Sequence, residues 1–210
     1  LAGKGRYSGV IEVEMGTTLR TIVENIADGI RDGMEFKAVQ IGGASGSFIT
    51  RESLDLKIDY EIMKEKGVGM GAGGFIIIDE STCMVDLVRY YLEFMHNESC
   101  GKCIPCREGT RRMLETITAI TRRPKEESSH ETLERFKGVV QIENLAEVMH
   151  DTSLCGLGQN APNSVMSALK WFREEFEEHI FDRKCNAGVC KDLRTFFIVV
   201  DSCTGCNICQ

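Results

Sequence analysis

The sequence lacks three features that would place the protein in a membrane, outside the cell or on nucleic acid. It contains no run of eighteen apolar residues, which a membrane-spanning helix would need. Its amino end lacks the basic and then apolar pattern of a signal peptide. Positive charge is not in excess, since 25 Lys and Arg stand against 32 Asp and Glu. We therefore predict a soluble cytoplasmic protein with no direct membrane insertion and no nucleic-acid partner.

Cysteine, by contrast, is abundant, with 10 residues in a chain of 210. Secreted disulfide scaffolds are usually shorter and distribute their cysteines through loop-rich sequence. Most of the cysteines here lie instead in three tight groups, which is typical of metal sites in a reducing compartment.

The first group is Cys100, Cys103 and Cys106, in a loop between two helix-like segments. Three thiolates at C-x2-C-x2-C spacing can occupy three corners of one cubane [4Fe-4S] cluster, with a remote fourth ligand. Zinc more often takes its ligands from two separate pairs. The spacing therefore favours a [4Fe-4S] cluster, and zinc or a redox-active thiol cluster are the alternatives.

Cys155 is the best candidate for the remote fourth ligand. It follows a long helical stretch, and Gly156 and Gly158 allow the backbone after it to fold close against a cofactor. The alternative for a lone cysteine is a buried small hydrophobic residue.

The first 80 residues are predicted to form a small α+β domain. Strands are predicted at 10–13, 36–41 and 75–79, with an amphipathic helix after the first strand. The pattern G-x-G-x-x-G at 69–74 precedes a strand instead of opening a helix. It is therefore predicted to be a connection and not a dinucleotide site.

From residue 81 to 182 the apolar period becomes helical. Four amphipathic stripes predict a four-helix bundle, with a possible break in the third helix near Gln141 and a connecting loop at 122–130. Alternate connections of an antiparallel bundle lie at the same end. The cysteine triplet and Cys155 are therefore predicted to meet at one pole.

The cysteine motifs resemble a known family. Residues 98–109, ESCGKCIPCREG, and 155–159, CGLGQ, are similar to the cluster-binding region of the NADH-oxidising flavoprotein subunit of NADH dehydrogenase, complex I. The chain looks most like the diaphorase subunits of NAD(P)-linked iron-only hydrogenases and formate dehydrogenases that carry a ferredoxin extension. Residues 7–10 and 42–43 resemble the SLBB domain of this family, a β-grasp variant.

The resemblance implies three regions: an SLBB-type domain at 1–80, a [4Fe-4S]-binding four-helix bundle at 81–182, and a linker with a truncated ferredoxin-like start at 183–210. It implies Cys100, Cys103, Cys106 and Cys155 as cluster ligands.

The implied function is electron relay from FMN to further clusters within an NAD(P)H dehydrogenase. The FMN and NAD(P)H sites belong to an amino-terminal domain of the full-length protein, so no catalytic or flavin-binding residue is assigned here. The implied partners are a [2Fe-2S] thioredoxin-like subunit and a cluster-rich or hydrogenase subunit.

Features at both ends of the sequence predict that the chain is a fragment of a longer protein. The chain begins at Leu1, and it stops within a second C-x2-C-x2-C motif made by Cys203, Cys206 and Cys209. A bacterial ferredoxin run would place a further cysteine and a proline after this motif. We expect the incomplete motif to bind no native cluster.

The remaining cysteines suggest a second site. Cys83, Cys185 and Cys190, with His179, form a Cys3His set that suits structural zinc in ligand type. Two buried thiols or a disulfide between Cys185 and Cys190 would need no metal.

Two rival functions apply to the chain as a whole. A zinc-holding structural or interaction module would need a second close ligand pair beside Cys155, which the sequence lacks. A thiol-disulfide switch would need a C-x-x-C beside a thioredoxin-like βαβ pattern, which is also lacking.

Overall fold

The computed structural model describes residues 1–123, 128–194, 196–199 and 202–206. These residues form an α+β structure, in which a sheet in the amino-terminal part is followed by helices. The strands are β1 (Ala2–Gly3), β2 (Phe36–Ile41), β3 (Ser47–Ile49) and β4 (Phe75–Asp79). The helices are α1 (Tyr60–Glu65), α2 (Met84–Asn97), α3 (Ile104–Thr121), α4 (Ser129–Thr152), α5 (Gly156–Asn160), α6 (Asn163–Trp171) and α7 (Arg173–Glu177). Short 3-10 or π-helical turns are Thr21–Ile26, Arg31–Gly33, Gly43–Ser45, Arg51–Ser53, Glu178–Asp182 and Lys191–Leu193.

The sheet has the strand order β1-β4-β2-β3. β1 runs parallel to β4, and β2 runs antiparallel to both β4 and β3. Val39 in the middle of β2 is paired with Ile49 on one side and Ile77 on the other. β2 and β4 are therefore the central strands, whose backbone groups are hydrogen-bonded on both sides.

The two central strands bury both of their faces. Because side chains alternate along a strand, Val39 and Ile77 point into a core with Leu19 from the amino-terminal part. Ala38 and Ile78 belong to a second core, which is formed mainly by the helices. The sheet therefore separates two hydrophobic cores, and its central strands contain nearly continuous apolar sequence.

Most of the apolar stripes that the sequence predicts are buried, but Leu133, Val140 and Val148 of the predicted third stripe are exposed on α4. α2 packs on α3, and α3 packs on α4. Their fully buried side chains include Met84, Val88, Leu92, Met113, Ile117, Ile120, Ile142 and Met149. None of the helices in the described ranges is long and apolar enough to cross a membrane.

Two glycines set the distance between α3 and α4. A Cβ atom on Gly109 of α3 would overlap the side chain of Met149 on α4. A Cβ on Gly138 of α4 would lie 2.8 Å from Thr116 Cγ2 of α3. The two helices can therefore approach this closely only because both positions lack a side chain.

Several sequence predictions need correction. The predicted strand at 10–13 is wrong, because these residues have no regular structure and Val10 is fully exposed. The edge position beside β4 is taken by β1, where Gly3 has a φ of 98° and lies against the Ile77 backbone. The predicted helix after this region is the π-helical turn Thr21–Ile26.

In the helical part, the predicted break near Gln141 is wrong, because α4 is continuous through this residue. The fourth predicted helix is divided instead. α6 ends at Trp171, because the next residue, Phe172, has a non-helical φ of −129° and ψ of 31°, and α7 and the π-helical turn Glu178–Asp182 follow.

Phe48 connects the sheet to the helices. Its side chain is 1% exposed and meets the Phe172 ring edge-on, with 6.3 Å between ring centroids. Its backbone N–H donates to Ser167 Oγ over 2.8 Å. An ion pair of 2.5 Å between Lys37 Nζ and Glu175 Oε1 lies across the same boundary.

We expect Phe48→Ala to lower the free energy of unfolding by about 3–5 kcal/mol, because it removes a buried ring and leaves a cavity. The matched control is Phe196→Ala, since Phe196 is 87% exposed and its loss should change stability by less than about 0.5 kcal/mol. Urea denaturation followed by circular dichroism measures both. Equal effects of the two substitutions would contradict the packing described here.

Candidate metal centres

The first group of cysteines lies between the end of α2 and the first turn of α3. Cys100 is in the connecting loop, Cys103 is the N-cap of α3, and Cys106 lies in its first turn. Pro105 sits in the same turn, where its missing N–H is not needed for helical hydrogen bonding. The three thiols range from the exposed Cys100 to the buried Cys106.

The loop that carries the triplet is held by its own residues. Gly101 has a φ of 71°, a conformation that favours glycine. Its carbonyl oxygen accepts a hydrogen bond of 2.8 Å from Arg107 Nη1. Ser99 Oγ lies 3.3 Å from Cys106 Sγ and 3.3 Å from the Gly101 backbone nitrogen.

Cys155 reaches the triplet from the end of α4. It is the N-cap of the short helix α5, and the N–H of the preceding residue, Leu154, hydrogen-bonds to the Cys103 thiol. A Cβ atom on Gly158 would lie 2.8 Å from Cys106 Cβ and 2.6 Å from Ser153 Oγ. Glycine at 158 thus permits α5 to lie against Cys106.

The four thiols interact electrostatically. The pKa of Cys106 is raised, first by burial and then by the negative charge of the Cys103, Cys155 and Cys100 thiolates, against the Ser99 hydrogen bond. The pKa of Cys103 is lowered, chiefly by the Leu154 N–H. The structure therefore brings Cys100, Cys103, Cys106 and Cys155 to one place, and a metal group bound there would displace the Cys106 proton.

The second group is Cys83, His179, Cys185 and Cys190, and it is buried. Its ligand atoms all lie within 4.8 Å of one another. Cys83 Sγ is 3.8 Å from Cys190 Sγ and 3.3 Å from His179 Nε2, and Cys190 Sγ is 3.5 Å from the same nitrogen. No disulfide joins Cys185 and Cys190.

The two groups differ in spacing. Among the residues that the structure describes, the second group is the one set of at least three Cys, His, Asp or Glu side chains close enough to hold a single ion. The quartet around Cys106, whose four residues are all described, is not such a set.

The second group is fixed by backbone contacts. Cys83 caps α2, and its Sγ accepts a hydrogen bond from the Asp86 N–H. His179 Nδ1 lies 2.6 Å from the Glu175 carbonyl oxygen, so Nδ1–H donates and Nε2 faces the thiols. Arg183 Nη1 donates to the carbonyl oxygens of His179 and Ile120 over 2.7 and 2.9 Å.

In the second group, Cys83 and Cys190 shift each other's thiol pKa in opposite directions. The pKa of Cys83 is lowered, first by a hydrogen bond from Cys190 and then by His179. The pKa of Cys190 is correspondingly raised, first by its bond to Cys83 and then by burial. One buried thiolate is therefore stabilised by its neighbours, which favours binding of a cation.

The third group consists of Cys203, Cys206 and Cys209, and the structure describes only part of it. Cys203 and Cys206 are exposed, and Cys203 Sγ accepts a hydrogen bond from the Gly205 N–H over 3.4 Å. Cys209 lies outside the described residues. Residues 196–199, which precede this motif, have no regular structure and are exposed.

Sequence reasoning missed the polar neighbours of the triplet, namely Ser99, Ser153 and the Leu154 N–H. No spacing rule marks a serine or a backbone amide as a neighbour of a metal site. Ser99 is identified by its contact with Cys106 Sγ, and Ser153 by the close approach of α5 to Cys106.

Comparison with known proteins identifies the region that holds the first group. Residues 86–179 match the family model of the NADH-ubiquinone oxidoreductase-F iron-sulfur binding region. The iron-sulfur binding region includes Cys100, Cys103, Cys106 and Cys155, and the match leaves a zinc-only module without support.

Relatives extend the similarity to the whole chain. The NADP-reducing hydrogenase subunit HndC of Solidesulfovibrio fructosivorans is 43% identical over 209 residues, which are 100% of this chain and 41% of that protein. A subunit of the NADH-quinone oxidoreductase of Rhizobium meliloti is 38% identical over 185 residues, 88% of this chain and 42% of that protein. The chain thus spans about two fifths of the length of these curated relatives.

A solved structure supports the fold. The crystal structure of an NAD+-reducing [NiFe]-hydrogenase in the H2-reduced state gives a TM-score of 0.63 at 25% identity, over 79% of this chain and 26% of that chain. The α+β arrangement and the resemblance to NADH-oxidising subunits are therefore confirmed. The relatives are components of oxidoreductases.

We expect Gly158→Ala to lower the free energy of unfolding by about 1–3 kcal/mol, because the added methyl group would overlap Ser153 and Cys106. Gly156→Ala is the matched control, since a Cβ there would meet only Asn160 Nδ2, at 3.5 Å. The control should be neutral or slightly stabilising. Thermal unfolding of both variants measures the difference, and equal melting temperatures would refute the close contact of α5.

Proposed function

We propose that the chain is the electron-relay part of an NAD(P)H dehydrogenase flavoprotein subunit, with Cys100, Cys103, Cys106 and Cys155 as ligands of one [4Fe-4S] cluster. Such a cluster, when bound, takes up and releases single electrons, here between FMN and further iron-sulfur clusters. The observation that carries the proposal is that α5, whose N-cap is Cys155, lies against Cys106 of the triplet within the matched iron-sulfur binding region.

The surroundings of the quartet fit a group of thiolate ligands. The Leu154 N–H stabilises the Cys103 thiolate, as the lowered pKa of Cys103 indicates. Ser99 Oγ, 3.3 Å from Cys106 Sγ, can donate to that sulfur once it is deprotonated. Gly158 leaves room for α5 to close the site against Cys106.

The finer architecture belongs to the same proposal. We assign residues 1–80 to an SLBB-type β-grasp domain, 81–182 to a four-helix cluster-binding bundle, and 183–210 to a linker and ferredoxin-like start. Two observations support this division: residues 1–80 have a core of their own on one face of the sheet, and α2, α3 and α4 pack in sequence.

The whole protein would use NAD(P)H and FMN, both bound outside this chain, and would work in the cytoplasm. Its partners would be a [2Fe-2S] thioredoxin-like subunit and a cluster-rich or hydrogenase subunit. This extension rests on relatives that are named as subunits of an NADP-reducing hydrogenase and of NADH-quinone oxidoreductase.

The relay is tested by the iron, acid-labile sulfide and zinc content of protein prepared without oxygen. We expect about four iron and four sulfide per chain. Cys155→Ser should lose most of this iron, because the fourth ligand is removed. Cys203→Ser is the control and should retain it, since Cys203 lies in the third group. Zinc without iron or sulfide, even after reconstitution, would refute the relay.

We further propose that Cys83, His179, Cys185 and Cys190 hold a structural zinc ion. In a tetrahedral zinc site, zinc–sulfur bonds of about 2.3 Å place two sulfur ligands about 3.8 Å apart. With a zinc–nitrogen bond of about 2.0–2.1 Å, a sulfur and a nitrogen ligand are about 3.6 Å apart. The distance from Cys83 Sγ to Cys190 Sγ is 3.8 Å, and the distances from His179 Nε2 to these two sulfurs are 3.3 and 3.5 Å. These separations are close to the expected edges.

The Glu175 carbonyl supports this assignment as well. A hydrogen bond from the non-ligating ring nitrogen commonly fixes a zinc-bound histidine, and His179 Nδ1 has this contact at 2.6 Å. A zinc ion there would attach residues 185–190 to the start of α2.

We expect Cys185→Ser to remove about one zinc per chain and to lower the melting temperature, because metal binding contributes to folding stability. The iron content should stay as in the unsubstituted protein. Metal analysis and thermal unfolding of the same samples measure both effects. A loss of iron, with zinc retained, would contradict the assignment of ligands to the two groups.

A further inference from the structure

Ser153 has a buried hydroxyl group that the polypeptide does not satisfy. The residue is the C-cap of α4 and is 5% exposed. Within the described part of the chain, Ser153 Oγ is buried and has no hydrogen-bond partner. Its backbone, by contrast, is fully engaged: the N–H donates to the Met149 carbonyl over 3.1 Å, and the carbonyl accepts from Gln159 Nε2 over 3.0 Å.

A buried hydroxyl without a partner lowers the stability of a folded protein, because it has lost its hydrogen bonds to water. Buried polar atoms are therefore nearly always paired, and an exception calls for an explanation. Alanine would fill the same place in the fold without this cost. An acceptor bound at the site, outside the polypeptide, would account for the hydroxyl at residue 153.

The hydroxyl lies beside the cysteine quartet. The Cβ position of Gly158 is 2.6 Å from Ser153 Oγ and 2.8 Å from Cys106 Cβ, so both side chains flank one point. The next residue, Leu154, donates its N–H to the Cys103 thiol. Cys155 follows directly. The Ser153 hydroxyl thus lies close to Cys106, and the sulfur atoms of this site are acceptors of the required kind.

We propose that Ser153 Oγ donates a hydrogen bond to a sulfur of the [4Fe-4S] site and thereby raises its reduction potential. This inference rests on the proposed function. Reduction adds one negative charge to the site, and a donor aimed at a sulfur stabilises the more negative form. Ser153 takes no part in electron transfer itself and acts only on the equilibrium between the two oxidation states.

The proposal predicts how Ser153→Ala changes the midpoint potential of the cluster-loaded protein and the melting temperature of the metal-free protein. With the cluster bound, Ser153→Ala should shift the midpoint potential to a more negative value, because the donor is lost. A tenfold fall in the equilibrium constant for one-electron reduction corresponds to about 59 mV, and we expect a several-fold fall. In metal-free protein, Ser153→Ala should not lower the melting temperature, because it removes an unpaired buried hydroxyl.

The potential is measured by redox titration, followed by the paramagnetic resonance signal of the reduced cluster, with iron counted in each sample. The matched control is Thr50→Val. Thr50 Oγ1 is likewise buried without a partner, but it follows β3 in the sheet. This control should leave the potential unchanged.

If Ser153→Ala holds less than the full iron content, the isosteric pair Ser153→Thr and Ser153→Val replaces it. The threonine variant keeps the hydroxyl and should have a potential close to that of the unsubstituted chain, whereas the valine variant should be more negative. Equal potentials in cluster-loaded variants with and without the hydroxyl would overturn the inference and leave the relay intact. Absence of a four-iron cluster from the unsubstituted chain would instead refute the relay itself.

Discussion

The close packing of α3 on α4 is the constraint on which the cysteine quartet depends. α3 leads away from Cys106 and α4 leads back to Cys155, so the thiols meet only when the two helices are held side by side. Gly109 and Gly138 permit this approach, and Met149 fills the space beside Gly109. Packing in the middle of the helices thus determines the ligand geometry at their end, since helices transmit position along their length as rigid elements.

The two cysteine groups lie at opposite ends of α2. Cys83 caps its first turn, and Cys100 follows its last. A helix of 14 residues is about 21 Å long, so the groups are separated by roughly that distance. Both ends of α2 therefore carry sulfur ligands, while its middle contributes Val88 and Leu92 to the helical core.

Much of this arrangement could be predicted from sequence, because spacing and period are local properties. The C-x2-C-x2-C triplet, the glycines after Cys155 and the helical stripes belong to this class. Val10, Ile11 and Val13 suggest a strand that does not form, since a strand needs a neighbour and β1 takes the available edge. β1 itself, with two residues, is too short to give a pattern, and the setting of Ser153 depends on the approach of a remote glycine.

The second group also bears on the order in which the chain folds. Cys83 and Cys190 are 107 positions apart, and the segment between them contains α2 to α7 and the whole first group. Closing so long a loop costs more chain entropy than forming the contacts inside it. Non-local contacts of this kind form slowly. The thiols at 83 and 190 should therefore meet after the helices between them have packed, and the second group completes a region that is already assembled.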